Sequence, residues 1–299
     1  MTHDHDRSAG TYSRAFAAAI ALNLAFVLVE FVYGHLAHSL ALVADAGHNL
    51  SDVLSLSLAW GAAVLARRQP TPGRTYGMRR SSILAALINA VVLLVAVGAI
   101  AWEAIRRLSE PNPIAGKTVI LVATIGIGIN AVTALLFRSG RKGDLNIRGA
   151  FLHMAADAGV SLGVVVAGVA ILITGWLWLH PVVSLAIAVV IVIGTWSLLR
   201  DSVNLALDAV PAGTDLSGVQ NYLAALPTCI EVHDLHIWGM STTETALTAH
   251  LVANREVIDD AMLSKATEEL HGRFGIEHVT LQVETGDPDL PCRCRLMLE

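Results

Sequence analysis

Over the first two thirds of the chain the apolar positions run rather than alternate. Six stretches are nearly continuous in apolar residues: Ala15 to Ala37, Ser39 to Ala66, Ile83 to Ile105, Lys117 to Phe137, Gly149 to Trp176 and Pro181 to Leu199. A helix needs about 20 mostly apolar residues to cross a bilayer core, so each stretch predicts a membrane-spanning helix. A tight turn around His38 separates the first two, and Trp176-Leu177-Trp178 between the last two is an expected interfacial anchor. After Arg200 the pattern changes. Leu216 to Leu226 predicts a short helix after the Pro211-Ala212-Gly213 break. Cys229 to Met240 and Thr245 to Ala253 alternate like paired strands, Asp259 to Phe274 has helical periodicity ending near Gly275, and His278 to Glu284 predicts a third strand. The order αββαβ, with antiparallel pairing expected, resembles a ferredoxin-like sandwich lacking one strand. The expected organisation is a polar tail (1–14), a six-helix transmembrane domain (15–200), a small α/β domain (208–287) and a loose tail (288–299).

Composition agrees with this α-helical membrane protein. Hydrophobic residues make up 54% of the 299 and charged residues 15%, against about 25% charged in soluble domains; mean hydropathy is +0.59. A disordered chain, a nucleic-acid binder and a secreted disulfide scaffold are excluded. The net charge of −5 hides a segregation. Eleven cationic residues fall on one side of the six spans: Arg7, Arg14, Arg67, Arg68, Arg74, Arg79, Arg80, Arg138, Arg141, Lys142 and Arg148. Arg106, Arg107 and Lys117 fall on the other. Positive charge stays in the cytoplasm, so both termini are expected inside, with short outer loops that suggest a bacterial inner membrane. The N-terminal fourteen residues show no signal-peptide cleavage pattern. The three cysteines, Cys229, Cys292 and Cys294, make no disulfide framework, and the spacing of the last two suits a soft metal better than a stable disulfide.

Ionisable residues inside lipid mark function, because burying them costs several kcal/mol. Glu103 precedes Arg106 and Arg107 by one turn, which predicts an interfacial ion pair; Glu30 lies toward the outer end of the first span. Two pairs stand apart, His48 with Asp52 and His153 with Asp157. Each is spaced i, i+4 and so shares one helix face. Counted from the span ends they lie at similar depth, about 16 Å down the second span and about 10–15 Å up the fifth. If the two helices are neighbours, two imidazoles and two carboxylates converge. Such an N2O2 set suits Zn²⁺ and is neutral once the dication is bound, whereas Mg²⁺ and Ca²⁺ favour all-oxygen cages. The alternative is that each His bonds the Asp of its own helix as a packing contact.

Several runs of the sequence resemble the cation diffusion facilitators, particularly their bacterial zinc-efflux branch typified by cobalt–zinc–cadmium resistance proteins. They are His38 to His48 (HSLALVADAGH) followed by Asp52, Arg74-Thr75-Tyr76-Gly77, Leu84 to Asn89 (LAALIN), Asn146 to Ser161 (NIRGAFLHMAADAGVS) and His233 to Trp238 (HDLHIW). The resemblance covers roughly residues 12 to 287. It implies a homodimeric zinc/proton antiporter that exports cytosolic Zn²⁺, and not an enzyme, with a transport site of His48, Asp52, His153 and Asp157. It also implies that a His in the second span goes with preference for zinc; Asp45, one turn before His48 on the same face, is either a supporting acceptor, a step on the path or a further ligand. In the soluble domain, similar to a metallochaperone, it implies a zinc site at His233, His250 and Glu284. Some relatives carry a His where Glu277 or Gln282 stands here, so that site is either incomplete or completed by His271, His278, Cys292 or Cys294. By strand alternation His233 and Glu231 share a face and His236 points away. His3-Asp4-His5-Asp6 is the only His-rich element in the tail. Small residues, Gly126 and Gly128 in span four and Gly159, Gly163 and Gly168 in span five, are expected to let helices slide, and Asn23, Asn89, Asn130 and Thr133 are expected as interhelical hydrogen bonds or a polar path. The expected partners are lipid, Zn²⁺, protons and a second copy of the chain. Two other classes remain possible on sequence: a membrane metal sensor, and an intramembrane zinc hydrolase, although no His-Glu-x-x-His run occurs.

Overall fold

The computed structural model describes residues 4–36, 40–109, 117–176, 178–227, 229–253 and 260–284. Six long helices come first: α1 (Asp4–Leu36), α2 (Leu40–Ala66), α3 (Ser81–Ser109), α4 (Lys117–Phe137), α5 (Leu145–Thr174) and α6 (Leu179–Ala206). Even the shortest has 21 residues, which at 1.5 Å each gives about 31 Å, the thickness of a hydrocarbon core. Among the described residues three segments are long and apolar enough to cross a membrane by composition as well: Ser13–Tyr33, Ser81–Arg106 and Ala188–Ala206.

The helices are apolar outside and polar inside. Val95, Ile173, Val190 and Ile193 are largely exposed, while Asn23, Glu30, Asn49, Asp52, Asn130, Thr133 and His153 are buried. Water would reverse that distribution; lipid permits it. The central core is built from α1, α2, α4 and α5 through Phe16, Ala19, Leu56, Ala59, Phe137, Ala150 and Met154. The alanines allow close backbone approach. A second cluster joins α3, α5 and α6 through Leu93, Val97, Ala156 and Ala188. Of the two glycines expected to loosen span four, only Gly126 meets a neighbour: a Cβ there would lie 3.1 Å from the Phe26 ring, whereas Gly128 faces open space.

Between α2 and α3 the chain turns tightly. Thr71 and Arg74 exchange backbone hydrogen bonds, and the Gly77 N–H donates to the Arg74 carbonyl at 2.8 Å. Gly77 has φ +69°, and a Cβ there would meet the Arg68 carbonyl at 2.9 Å, so the turn requires glycine.

The chain divides into two compact units, Met1–Ser202 and Val203–Glu299. The second contains α7 (Leu216–Ala224), β1 (Cys229–Gly239), β2 (Thr245–Ala253), α8 (Asp260–Phe274) and β3 (His278–Glu284), close to the expected elements. The Asp215 side chain caps α7 by accepting from the Gly218 N–H. Helix α8 ends in a left-handed glycine cap: Gly275 has φ +67°, its N–H donates to His271, and the Ile276 N–H donates to Leu270. The strand order is β1-β2-β3. Pairing corrects the antiparallel expectation. β1 and β2 are antiparallel, but β2 and β3 are parallel, because a helical crossover returns the chain to run in the same direction. Leu247, Ala249 and Leu251 pack with Val219, Leu223 and Leu270 of the two helices. The opposite sheet face carries His250 and Glu284.

Candidate metal sites

The first cluster forms where α2 packs on α5. Asp52 lies twelve residues into α2 and His153 eight residues into α5, about 18 Å and about 12 Å along their helices. His153 Nε2 stands 2.7 Å from Asp52 Oδ1 on the other helix and 3.7 Å from Asp157 Oδ2 on its own. One donor atom from each of Asp52, His153 and Asp157 lies within 4.8 Å of the others. Asp52 is 1% exposed and His153 9%. The tighter contact crosses between helices, so a packing bond within each helix does not describe this pair. His48 is one turn before Asp52 on α2; its side chain and that of Asp45 lie outside the described residues. Neighbouring polar groups tie the surrounding helices together. The Asn49 amide donates to Glu30 Oε2 at 2.7 Å, joining α2 to α1. The Asn23 amide donates to Thr133 Oγ1 of α4 at 3.3 Å, as expected of an interhelical bond. Asn89, Ser55 and Gly149 line a cavity of about 10 Å³ against His153, and Asn89 Oδ1 is buried without a hydrogen bond among the described residues. Glu103 and Arg106 form the expected exposed pair at 3.7 Å.

The second cluster lies on the sheet face opposite α7 and α8. His233 and His250 are register partners across β1 and β2. Glu284 Oε2 lies 3.3 Å from His233 Nε2, and its Oε1 lies 2.7 Å from His250 Nδ1. The two imidazoles meet edge to face with centroids 5.2 Å apart. Sequence reasoning missed Asp234. Its Oδ2 lies 3.5 Å from His250 Nε2, and its Oδ1 lies 2.9 Å from His236 Nε2. The cause is a bulge between His233 and His236, with Asp234 at φ +51°. Three steps on β1 match two on β2, from His250 to Thr248. The extra residue reverses the alternation, so His236 joins the His233 face, correcting the expectation that it points away. A non-glycine residue in the left-handed region is uncommon, and an Asp in that run was the only signal available.

Among the described residues, the other candidates to complete this cluster do not join it. Glu277 accepts the Thr245 N–H at 2.7 Å. The Gln282 amide donates to Glu284 Oε1 at 3.1 Å, so it orients a donor rather than supplying an imidazole. His271 and His278 are exposed and fall outside the group that could hold an ion among the described residues. Cys292 and Cys294, and the tail histidine His3, lie outside the described residues; His5 lies in α1, its side chain undescribed. Burial pushes the Cys229 thiol up, partly offset by a hydrogen bond from the Glu231 backbone, so this cysteine is kept protonated.

Comparison with known proteins decides the family. The model of the cation efflux transmembrane domain matches residues 16–205, and that of the cation efflux protein cytoplasmic domain matches residues 211–286. The chain belongs to the cation efflux family, the cation diffusion facilitators. Members of this family are transporters and not enzymes, which removes the intramembrane hydrolase. Among its relatives, a cadmium, cobalt and zinc/H⁺–K⁺ antiporter of Bacillus velezensis is 33% identical over 290 residues, 95% of this chain and 92% of the relative. The metal cation efflux system protein CzcD of Cupriavidus metallidurans is 35% identical over 283 residues, 94% and 89% of the two chains. The zinc transporter ZitB of Escherichia coli is 34% identical over 291 residues, 95% and 93%.

Proposed function

We propose that this cation efflux protein expels Zn²⁺ from the cytoplasm in exchange for protons, with Cd²⁺ and Co²⁺ as further substrates, through a site made of His48, Asp52, His153 and Asp157. The observation that carries the reading is the convergence of Asp52, His153 and Asp157 from two buried helix faces. Two neutral imidazoles and two carboxylates around a dication sum to zero charge, which suits a low-dielectric interior. The mixed nitrogen and oxygen donors suit Zn²⁺. The names of the relatives, a zinc transporter and a cadmium, cobalt and zinc antiporter, support the same substrates here.

Coupling needs no further parts. An ionised carboxylate accepts hydrogen bonds and does not donate them, so with Asp52 ionised the 2.7 Å contact of His153 with Asp52 holds a proton on Nε2. Zinc needs that lone pair. Metal and proton therefore compete for one atom, and loading one releases the other. Alternating exposure of the site to the two sides turns this competition into exchange. Asp45, one turn before His48, serves as an acceptor supporting it.

The charge asymmetry supports both termini in the cytoplasm of a bacterial inner-membrane protein. A homodimer is supported by the match to a cytoplasmic-domain model named for dimers. In that domain His233, His250 and Glu284, with Asp234 beside them, would hold a cytosolic zinc; two imidazole nitrogens and carboxylate oxygens within reach of one another fit such an ion. The test is reconstitution into liposomes with a panel of metals, reading metal uptake and internal pH together. Zinc uptake with stoichiometric proton efflux supports the reading; zinc binding without flux would favour a metal sensor and overturn it.

A further inference from the structure

The turn joining α4 to α5 carries a cavity that the transport site leaves unused. It has a volume of about 370 Å³, opens outward, and is lined by Arg141, Lys142, Arg148, Phe151 and Leu152. We propose that it binds the headgroup of an anionic phospholipid.

Charge is the first argument. Arg148 is spent within the fold: its guanidinium bonds Asp201 of α6 at 2.7 Å and the Ser197 hydroxyl beside it. The nearby Asp144 is spent as well, capping α5 by accepting the Asn146 N–H at 2.7 Å. Among the described residues, Arg141 and Lys142 have no ion-pair partner. The cavity therefore presents two uncompensated cations. Arg141 lies over the Phe151 ring at 4.5 Å. Stacking occupies the face of the guanidinium and leaves its in-plane N–H groups for phosphate oxygens.

Shape is the second argument. Arg141 and Lys142 follow the last residue of α4 and precede α5, whereas Phe151 and Leu152 lie six and seven residues into α5, about 10 Å deeper. The pocket is cationic at the helix ends and apolar below, across the depth at which a phospholipid passes from phosphate to acyl chain. A free phosphate has no use for that floor. Leu152 also lies against Gly194 of α6, where a Cβ would stand 3.5 Å from its Cδ2, so the apolar floor of the cavity abuts α6.

The test uses the full-length protein in neutral detergent, with bound lipid counted by native mass spectrometry. The probes are dioleoylphosphatidylglycerol and dioleoylphosphatidylcholine. A cation near an anionic surface contributes roughly fivefold, so Arg141→Gln with Lys142→Gln should cut the preference for phosphatidylglycerol about 25-fold. Arg141→Lys with Lys142→Arg should keep most of it, and millimolar inorganic phosphate should not compete. Arg67→Gln with Arg68→Gln removes the same charge elsewhere and should leave the preference intact. An equal loss there, or efficient competition by phosphate, would overturn the proposal in favour of diffuse attraction or a free-anion site. If the double variant loses its melting transition, the single Lys142→Glu variant on the exposed turn decides: weakened phosphatidylglycerol binding supports the pocket, unchanged binding removes it.

Discussion

Asp52→Asn isolates the charge in the proposed site. Asparagine has the shape of aspartate, and its carbonyl can still accept from His153 Nε2 at the observed 2.7 Å. The fold should lose only the difference between a charge-assisted and a neutral hydrogen bond, about 1 kcal/mol. The metal loses far more. Two unit charges 4 Å apart at an effective dielectric constant near 20 interact by about 4 kcal/mol, and a dication doubles that. Relief from burying the carboxylate returns part, leaving a net loss of about 4 kcal/mol, or about a thousandfold in affinity. Competition against a fluorescent zinc chelator on the detergent-solubilised protein reads this directly, with melting temperature as the control for folding. Affinity within about tenfold of wild type, in a variant that melts normally, would show that Asp52 is not a ligand and that the buried contact is structural.

His48→Asp makes the donor set richer in oxygen and should widen transport toward Mn²⁺ in a metal-competition flux assay; an unchanged order of preference would remove His48 from selectivity. Asp157→Ala should abolish zinc-driven proton flux in liposomes while the protein still elutes as a folded species, and normal flux would exclude Asp157 from the pathway. His250→Ala should lower the zinc bound at equilibrium by one ion per chain while leaving the transport-site affinity within about twofold, since it separates Glu284 and Asp234 from their shared imidazole; unchanged stoichiometry would make the sheet cluster a hydrogen-bonded network only.

The membrane domain was legible because lipid imposes a simple rule: a spanning helix must be apolar for about 20 residues, and α1 to α6 each coincide with one of the six apolar runs over most of its length. The pairing of His153 with Asp157 was legible from spacing alone. Its nearer partner, Asp52, could be inferred only by comparing depth, because sequence does not say which helices are neighbours; the packing of Leu56 against Ala150 and Met154 supplies that. The soluble domain was legible in its elements but not in its register. A helix between β2 and β3 already implied parallel strands, and the expectation of antiparallel pairing ignored that crossover rule. The bulge at Asp234 left no trace in the alternation on which His236 was placed, since one inserted residue changes every side beyond it. Its consequence is an additional carboxylate beside His250 that no spacing argument could find.

The central claim is that one divalent ion sits between the second and fifth helices, and an anomalous-scattering map at the zinc edge from metal-soaked crystals tests it most directly. The account predicts a peak within about 2.0–2.2 Å of His153 Nε2 and of oxygens from Asp52 and Asp157, with His48 closing the shell. A map whose membrane-domain peak lies away from these side chains, or that shows zinc only at the sheet cluster of a transport-competent protein, would contradict it.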